Sequence, residues 1–247
     1  AQDEGGARGP SRGQSSARQA ALARPEDGED AAAGRQLPPG ERAVQGADVV
    51  IHSLTKFING SSDTVGGVVC GTTEFINDLR NVNDGAAMLL GPTMDSMRAA
   101  SILKNLRTLH IRMKQHSHNA MFLAHKFQED GLKTVYPGLE SHPGHETFKT
   151  MMNESYGFGG MLTLDVGSLD KANELMELMQ ERNLGYLAVS LGFYKTLFSA
   201  PGTSTSSEIP EEEQKEMGLS DGLIRFSIGL DNDIARTYEM MKDYYKE

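Results

Sequence analysis

One stretch decides how this sequence is interpreted: GADVVIHSLTKFINGSSD, residues 46–63. Its apolar run, 49–51, predicts a short buried strand, since apolar runs bounded by turn residues are typical of strands. After this run, the hydroxyl residues Ser53 and Thr55 precede Lys56, which lies in a loop rich in Gly, Ser and Asn. A phosphorylated aldehyde bound as a Schiff base needs an amine nucleophile beside groups that bind phosphate, and this arrangement supplies both.

The surroundings of the lysine resemble a known family. Residues 52–60, with Ser62-Asp63 and Gly66-Gly67, resemble the cofactor-lysine signature of the Cys/Met-metabolism family of pyridoxal-phosphate (PLP) enzymes. That family includes cystathionine γ-synthase, cystathionine β- and γ-lyases and methionine γ-lyase. Further segments resemble the family's long connecting helix, the start of its C-terminal domain and its two substrate-carboxylate elements; in chain order they are 105–120, 136–143, 188–192 and 222–230.

The resemblance, which runs from about Gly46 to the C-terminus, implies the fold. An α/β protein is expected, corresponding to the C-terminal part of a fold-type-I PLP-dependent transferase. Part of a PLP-binding large domain with a long helix would occupy 46–131, and a C-terminal α+β substrate domain would occupy 132–247. Residues 1–45 are rich in Ala, Gly and Arg with few large aliphatic residues, so we expect a disordered low-complexity segment there.

Hydrophobic periodicity predicts strands and helices after residue 46. A long helical tract from about Met94 to Asp130, bent near 105–108, is predicted to end with Gly131 as its C-cap. An antiparallel-leaning mixed sheet with helices on one side is predicted for the rest. The remaining predictions are strands at 49–52, 66–70, 134–136, 160–166, 186–191 and 223–228, helices at 73–83, 146–152, 169–182, 234–245 and after Pro210, and a polar loop at 199–208.

The resemblance also implies roles at the lysine loop. Lys56 would form the aldimine with PLP and carry proton transfers, while the hydroxyls of Ser53 and Thr55 would bind the cofactor phosphate. Ordinary capping of a strand end is the alternative for the two hydroxyls. Asn59 and Asp63 are expected to order the loop through Asx-type backbone bonds.

Two residues near the C-terminus are predicted to bind substrate. Arg225 lies inside the apolar run 223–228, where a buried guanidinium needs an anionic partner, and a substrate α-carboxylate suits its fork. The resemblance places Ser190 in the same carboxylate pocket. The alternatives are a salt bridge to an acidic residue for Arg225 and a plain turn for Ser190.

The loop after Ser190 departs from the commonest family pattern. Residues Phe193-Tyr194-Lys195 and the string 203–207 resemble the methionine-cleaving members of plants more than the cystathionine enzymes. The implied reaction is γ-elimination from L-methionine, with release of methanethiol, ammonia and 2-oxobutanoate. A transsulfuration reaction on cystathionine or an activated homoserine is the alternative.

The region upstream of the lysine strand also departs from the family. Family members carry a long stretch there, which supplies amides for the phosphate, a tyrosine stacked on the cofactor and an aspartate paired with the pyridine nitrogen. Residues 1–45 stand in its place, and none of Asp3, Asp27 or Asp30 has a strand context. We therefore expect a truncated family member. The non-enzymatic alternative is an inactive chain that at most pairs with full-length subunits of the family's homotetramer.

Composition argues against some classes of partner, and the resemblance implies the remaining ones, a small sulfur amino acid and further copies of the chain. The 247 residues have a net charge of −10, which argues against nucleic acid or an anionic membrane surface. No apolar run approaches the roughly 20 residues of a membrane span. The one cysteine, Cys70, suits a reducing compartment such as the cytoplasm, and a buried core position is expected for it. His116 and His118 would face different sides of a helix, which disfavours a metal site.

Overall fold

The computed structural model describes residues 35–36, 47–204, 206 and 208–245. In this part of the chain the strands are β1 (Arg35–Gln36), β2 (Val50–Ser53), β3 (Gly67–Cys70), β4 (Lys133–Val135), β5 (Met152–Asn153), β6 (Met161–Asp165), β7 (Tyr186–Leu187), β8 (Leu197–Ser199) and β9 (Leu223–Ser227). The helices are α1 (Thr73–Leu79), α2 (Ala86–Leu90), α3 (Ser96–Leu106), α4 (Leu109–Glu129), α5 (His145–Met151), α6 (Leu169–Glu181), α7 (Glu211–Glu216) and α8 (Ile234–Tyr245). A π-type turn, Leu54–Ile58, directly follows β2, and we call it the lysine turn.

The described strands form three sheets. β2 and β3 make an antiparallel pair around the lysine turn. A five-stranded sheet has the order β4-β6-β9-β8-β7, with all neighbours antiparallel except the parallel pair β7 and β8. This confirms the predicted mixed, antiparallel-leaning sheet. β1 pairs with β5; the remainder of the segment 1–45 that was expected to be disordered lies outside the described residues.

The main core lies between the five-stranded sheet and helices α4, α6 and α8. Alternation along the central strands directs Leu162, Leu164, Ile224 and Phe226 into it. The buried face of α6 repeats every three or four residues, as an amphipathic helix requires, through Ala172, Leu175, Met176 and Met179. Each fully buried large side chain contributes about 1.5–3 kcal/mol, so this cluster supports the sheet that carries Arg225.

The long helical tract is confirmed as two helices with a bend. α3 ends at Leu106, and α4 begins at Leu109 after the break at Arg107-Thr108. Gly131 has φ +78°, a left-handed conformation that suits glycine and ends the helical tract as predicted. The helix predicted after Pro210 is also present as α7.

Four local predictions need correction. The helix predicted at 73–83 stops at Leu79, and the short α2 follows it. The strand predicted at 186–191 ends at Leu187, because the chain then leaves the sheet to approach the lysine turn. Ser199 is a buried residue of β8 and not the start of a polar loop. Cys70 is half-buried and lies outside the main core.

Many large apolar side chains of the first described half remain exposed. Leu90 is 82% and Val65 is 79% exposed, and Ile51, Val82, Leu89 and Met97 are similar. Monomeric proteins rarely leave so much apolar surface uncovered, and such surfaces usually mark a contact with another segment or chain. Within the described residues, no helix has the length and apolar character that crossing a membrane would require.

Candidate active site

Main-chain hydrogen bonds hold the lysine turn. The amide of Asn59 donates to the carbonyl of Leu54 at 2.9 Å, and the amide of Gly60 donates to the carbonyl of Lys56 at 2.7 Å. The amide of Leu54 donates to the carbonyl of Gly66 at 2.9 Å, which closes the loop onto β3. Lys56 itself has φ −81° and ψ −130°, so the helical path is interrupted at the residue that carries the amine.

The two hydroxyls predicted to bind phosphate lie in different surroundings. The Thr55 hydroxyl accepts a 2.9 Å hydrogen bond from the amide of Gly66 and lies 3.3 Å from the carbonyl of the same residue. It therefore closes a strand end in this structure, as the alternative interpretation expected. Ser53, the last residue of β2, is exposed. Phosphate binding by Ser53 and Thr55 stays a prediction.

Side-chain amides order the loop after the lysine turn. The Nδ2 of Asn59, a residue only 1% exposed, donates to Asp63 Oδ1 at 2.8 Å. The Nδ2 of Asn105, on α3, donates to Asn59 Oδ1 at 2.8 Å. Asn59 and Asp63 thus order the loop as expected, but through side-chain contacts and not through Asx-type backbone bonds.

Three of the five predicted site residues meet at one place. The Nζ of Lys56 donates to the hydroxyl of Ser190 at 2.9 Å. The Nη2 of Arg225 donates to the main-chain carbonyl of Ser190 at 3.1 Å. Burial lowers the pKa of the Arg225 guanidinium from its ordinary value, although arginine remains a cation in proteins. An amine and a guanidinium therefore converge on one serine.

Gly192 brings the serine loop to the lysine turn. It has φ +76°, and its amide donates to Ser227 Oγ at 2.8 Å. A Cβ at this position would lie 2.4 Å from the amide nitrogen of Phe57, closer than real Cβ contacts come. Only glycine permits this approach, so Gly192 determines how near Ser190 lies to the amine of Lys56.

A row of polar side chains crosses the sheet face opposite the main core. Arg225 on β9 lies between Thr163 on β6 and Ser199 on β8 in the strand register. Ser199 is 2% exposed, and neither its hydroxyl nor the Nε of Arg225 has a hydrogen-bond partner among the described residues. Buried polar groups are nearly always paired, so this row has donors to spare for an anionic ligand. The sequence signal for Ser199 was its alternation with the core residue Phe198.

Two residues of α4 for which no role was predicted, although they lie within the segment 105–120, also contact the lysine turn. Arg112 donates to main-chain carbonyls of the turn, and the ring of His116 packs against Phe57. Their spacing of four residues places them on one helix face, which is the signal that would have found them.

The side chains of this site fit part of what PLP and an amino acid present. The Lys56 amine can react with an aldehyde, and the Arg225 Nε and Ser199 hydroxyl, which have no hydrogen-bond partner in the described part of the chain, can donate to a carboxylate. No group of three His, Cys, Asp or Glu side chains in the described ranges is placed to hold a metal ion.

Comparison with known proteins identifies the family that the lysine motif resembles. The family model described as Cys/Met metabolism PLP-dependent enzyme matches residues 42–239. Methionine γ-lyase of Arabidopsis thaliana is 44% identical over 188 residues, which cover 76% of this chain and 43% of the relative. Cystathionine γ-lyase of Bacillus subtilis is 38% identical over 191 residues, with 76% and 48% covered.

Solved structures agree in fold. Cystathionine γ-synthase of Xanthomonas oryzae pv. oryzae, in complex with cystathionine, has a TM-score of 0.73 and 31% identity, covering 83% of this chain and 52% of its own. A second solved structure, described as a putative O-acetylhomoserine (thiol)-lyase of Campylobacter jejuni, contains a pyridoxyl-lysine phosphate. It has a TM-score of 0.71 and 25% identity, covering 83% of this chain and 55% of its own. The chain thus spans about half the length of the relatives it matches. It belongs to the Cys/Met-metabolism family of PLP-dependent enzymes.

Proposed function

We propose that this chain supplies the lysine and carboxylate-binding part of a PLP-dependent carbon–sulfur lyase. The proposed reaction is γ-elimination: L-methionine and water give methanethiol, ammonia and 2-oxobutanoate. The observation that carries the proposal is the convergence of Lys56 and Arg225 on Ser190. The 44% identity to a methionine γ-lyase supports methionine as the substrate.

Each site residue has a proposed task. Bound PLP would supply an electron sink for the carbanion chemistry at the substrate Cα. The Lys56 amine would hold the cofactor aldehyde and, once displaced, accept and return protons at the substrate carbons. Ser190 would orient that amine, and the Arg225 fork would bind the α-carboxylate. Ser53 and Thr55 would donate to the phosphate.

Cystathionine is the second candidate substrate. It differs from methionine in the group on sulfur, and the Lys56–Ser190–Arg225 cluster would bind only the part that the two amino acids share. Cystathionine γ-lyase and γ-synthase relatives match the chain at 38% and 31% identity. The activity is tested by comparing release of methanethiol from methionine with release of cysteine from cystathionine.

An association role without catalysis is the third candidate. The exposed apolar side chains around β2, β3 and α1–α3 favour contact with further copies, in keeping with a homotetramer, or with a complete subunit. We propose that 46–131 and 132–247 act as two units in such an assembly, and that it forms in the cytoplasm, where the single cysteine stays reduced. Light scattering of the full chain, alone and mixed with a full-length family member, measures this association.

The deciding experiment uses the purified full chain with added PLP. A visible absorbance band, and a borohydride-fixed adduct located on Lys56 by mass spectrometry, are expected from the wild-type protein. Lys56→Ala should lose both, whereas Lys104→Ala, which changes an exposed lysine of α3, should keep both. A folded wild-type chain without the adduct would overturn the enzymatic proposal and favour the association role.

A further inference from the structure

One arginine holds the main chain of the lysine turn from the side of α4. The Arg112 Nη1 donates to the carbonyl of Phe57 at 2.6 Å, and Nη2 donates to the carbonyl of Ile58 at 2.8 Å. Nη2 also donates to the carbonyl of Asn105 at 3.1 Å. A Cβ on Gly60 would lie 2.4 Å from Nη1, so glycine leaves the space that the guanidinium occupies. The fork thus joins two carbonyls of the turn to the end of α3.

The partners of Arg112 exclude a salt-bridge role within the described residues. Its remaining hydrogen bond, from Nε, goes to the hydroxyl of Thr108 at 3.1 Å. All of these acceptors are neutral oxygens, and no ion pair of Arg112 occurs in the described part of the chain. Planar guanidinium groups are suited to hold several acceptors in a defined geometry. The arginine therefore acts on the shape of the turn.

One helical turn later, His116 joins the same turn to the strand that carries Arg225. The His116 side chain is fully buried, and its ring lies edge-on to Phe57 with 5.2 Å between ring centroids. Its Nδ1 lies 2.6 Å from the carbonyl of Ile228, the residue after β9. Residues four apart lie on the same helix face, so α4 contacts the neighbour of Lys56 and the end of β9 with a single surface.

We propose that Arg112 and His116 are positioning residues that set the distance between the Lys56 amine and the Arg225 guanidinium. α4 acts as a rigid brace, with Arg112 holding the lysine turn and His116 joining that turn to β9. The inference rests on the proposed function of Lys56, since it assigns a catalytic purpose to that distance. Neither residue touches the substrate or the cofactor in this scheme.

The test uses the full chain and measures two quantities, amide hydrogen exchange at the lysine turn without PLP and the rate of adduct formation at Lys56 with PLP. In Arg112→Ala without PLP, amide hydrogen exchange at Asn59 and Gly60 should rise about 10- to 100-fold, the range for lost charge-assisted hydrogen bonds. Amide exchange in β6 should stay unchanged in Arg112→Ala. In the control variant Arg236→Ala, which changes an exposed arginine of α8, exchange at Asn59 and Gly60 should also stay unchanged. With PLP, formation of the Lys56 adduct should slow about tenfold in Arg112→Ala.

Chemical rescue with a small guanidinium ion distinguishes a positioning role of Arg112 from a general loss of structure in the variant. Ethylguanidinium, which restores the missing fork, should return Arg112→Ala toward wild-type exchange and adduct rates, whereas ethylammonium should not. His116→Asn, which keeps a donor for the Ile228 carbonyl, should show a smaller loss than His116→Leu. Unchanged exchange at the turn, or a rise throughout β6 as well, would overturn the brace. If the wild-type chain forms no adduct, the function of Lys56 fails, and the exchange data alone decide the brace.

Discussion

The amine of Lys56 donates to the hydroxyl of Ser190 at 2.9 Å, although 134 residues separate the two in the chain. The carbonyl of the same serine accepts from Arg225 at 3.1 Å. Ser190 is therefore the point where the lysine turn and the five-stranded sheet meet, and its two polar groups serve opposite sides of the site.

Removal of the serine hydroxyl should affect the amine without unfolding the protein. We expect Ser190→Ala to slow formation of the Lys56–PLP adduct about tenfold, because the amine loses the hydrogen bond that orients it, which is worth roughly 1.5 kcal/mol. The main-chain bond to Arg225 is kept, so the melting temperature should change little. Stopped-flow absorbance and thermal unfolding measure the two quantities. An unchanged adduct rate would show that the hydroxyl does not orient the amine.

The close approach of Gly192 predicts a contrast between two glycines with the same φ of +76°. A Cβ at Gly218 would meet nothing within 4 Å, so Gly218→Ala should cost only about 1–2 kcal/mol of left-handed strain. Gly192→Ala adds a clash with the main chain of Phe57 and should cost more. It should also slow adduct formation at Lys56. Urea unfolding of both variants provides the comparison, and equal costs would contradict the packing described for Gly192.

Two buried serines on neighbouring strands should respond in opposite ways. Ser227→Ala leaves the buried amide of Gly192 without an acceptor and should reduce the free energy of unfolding by about 1–3 kcal/mol. Ser199→Ala removes a buried hydroxyl that has no partner in the described ranges, so stability should stay level or rise slightly.

If Ser199 helps to bind the carboxylate, Ser199→Ala should weaken ligand binding even though it does not lower the stability of the fold. Ser199→Ala should raise the KM for methionine several-fold while kcat changes less, because a uniform binding contact is lost. Steady-state kinetics of any active assembly that contains the chain measure this. A marked loss of stability in Ser199→Ala would instead indicate that the hydroxyl has a structural partner.

Burial of His116 predicts a pH-dependent loss of stability. Burial lowers the pKa of His116 from 6.5 to about 4, and the positive charge of Arg112 adds to this, against the raising effect of the hydrogen bond to Ile228. Between these pH values the unfolded chain binds the extra proton. Stability from this residue is therefore present above pH 6.5 and lost as the pH falls toward 4, by about 3 kcal/mol in all. Comparison with His116→Asn isolates the effect from the carboxylates.

The contribution of His116 is the difference in stability between the wild-type chain and His116→Asn at each pH. Urea midpoints of the wild-type chain minus those of His116→Asn should fall between pH 6.5 and 4 and stay constant above that window. A constant difference throughout would show that the imidazole of His116 is accessible to protons in the folded protein.

The elements were largely predictable from the sequence because their causes are local. The strand before Lys56 and the left-handed Gly131 follow from an apolar run and from glycine conformation. Arg225 inside an apolar strand was conspicuous for the same reason, since a charge among buried residues demands a partner. The family, too, was evident from the motif around the lysine.

Only the tertiary structure decided which of these residues meet. The contact of Lys56 with Ser190 depends on a glycine approach and on a strand that ends early at Leu187, neither of which has a local signature. Ser199 was predicted to lie in a loop although it alternates with the apolar Phe198, because its burial depends on pairing with β9. The brace on α4 is equally non-local: Arg112 and His116 acquire their contacts only when the helix packs between the lysine turn and the sheet. Sequence rules fix the conformation of each element, whereas distances between side chains depend on how all elements pack together.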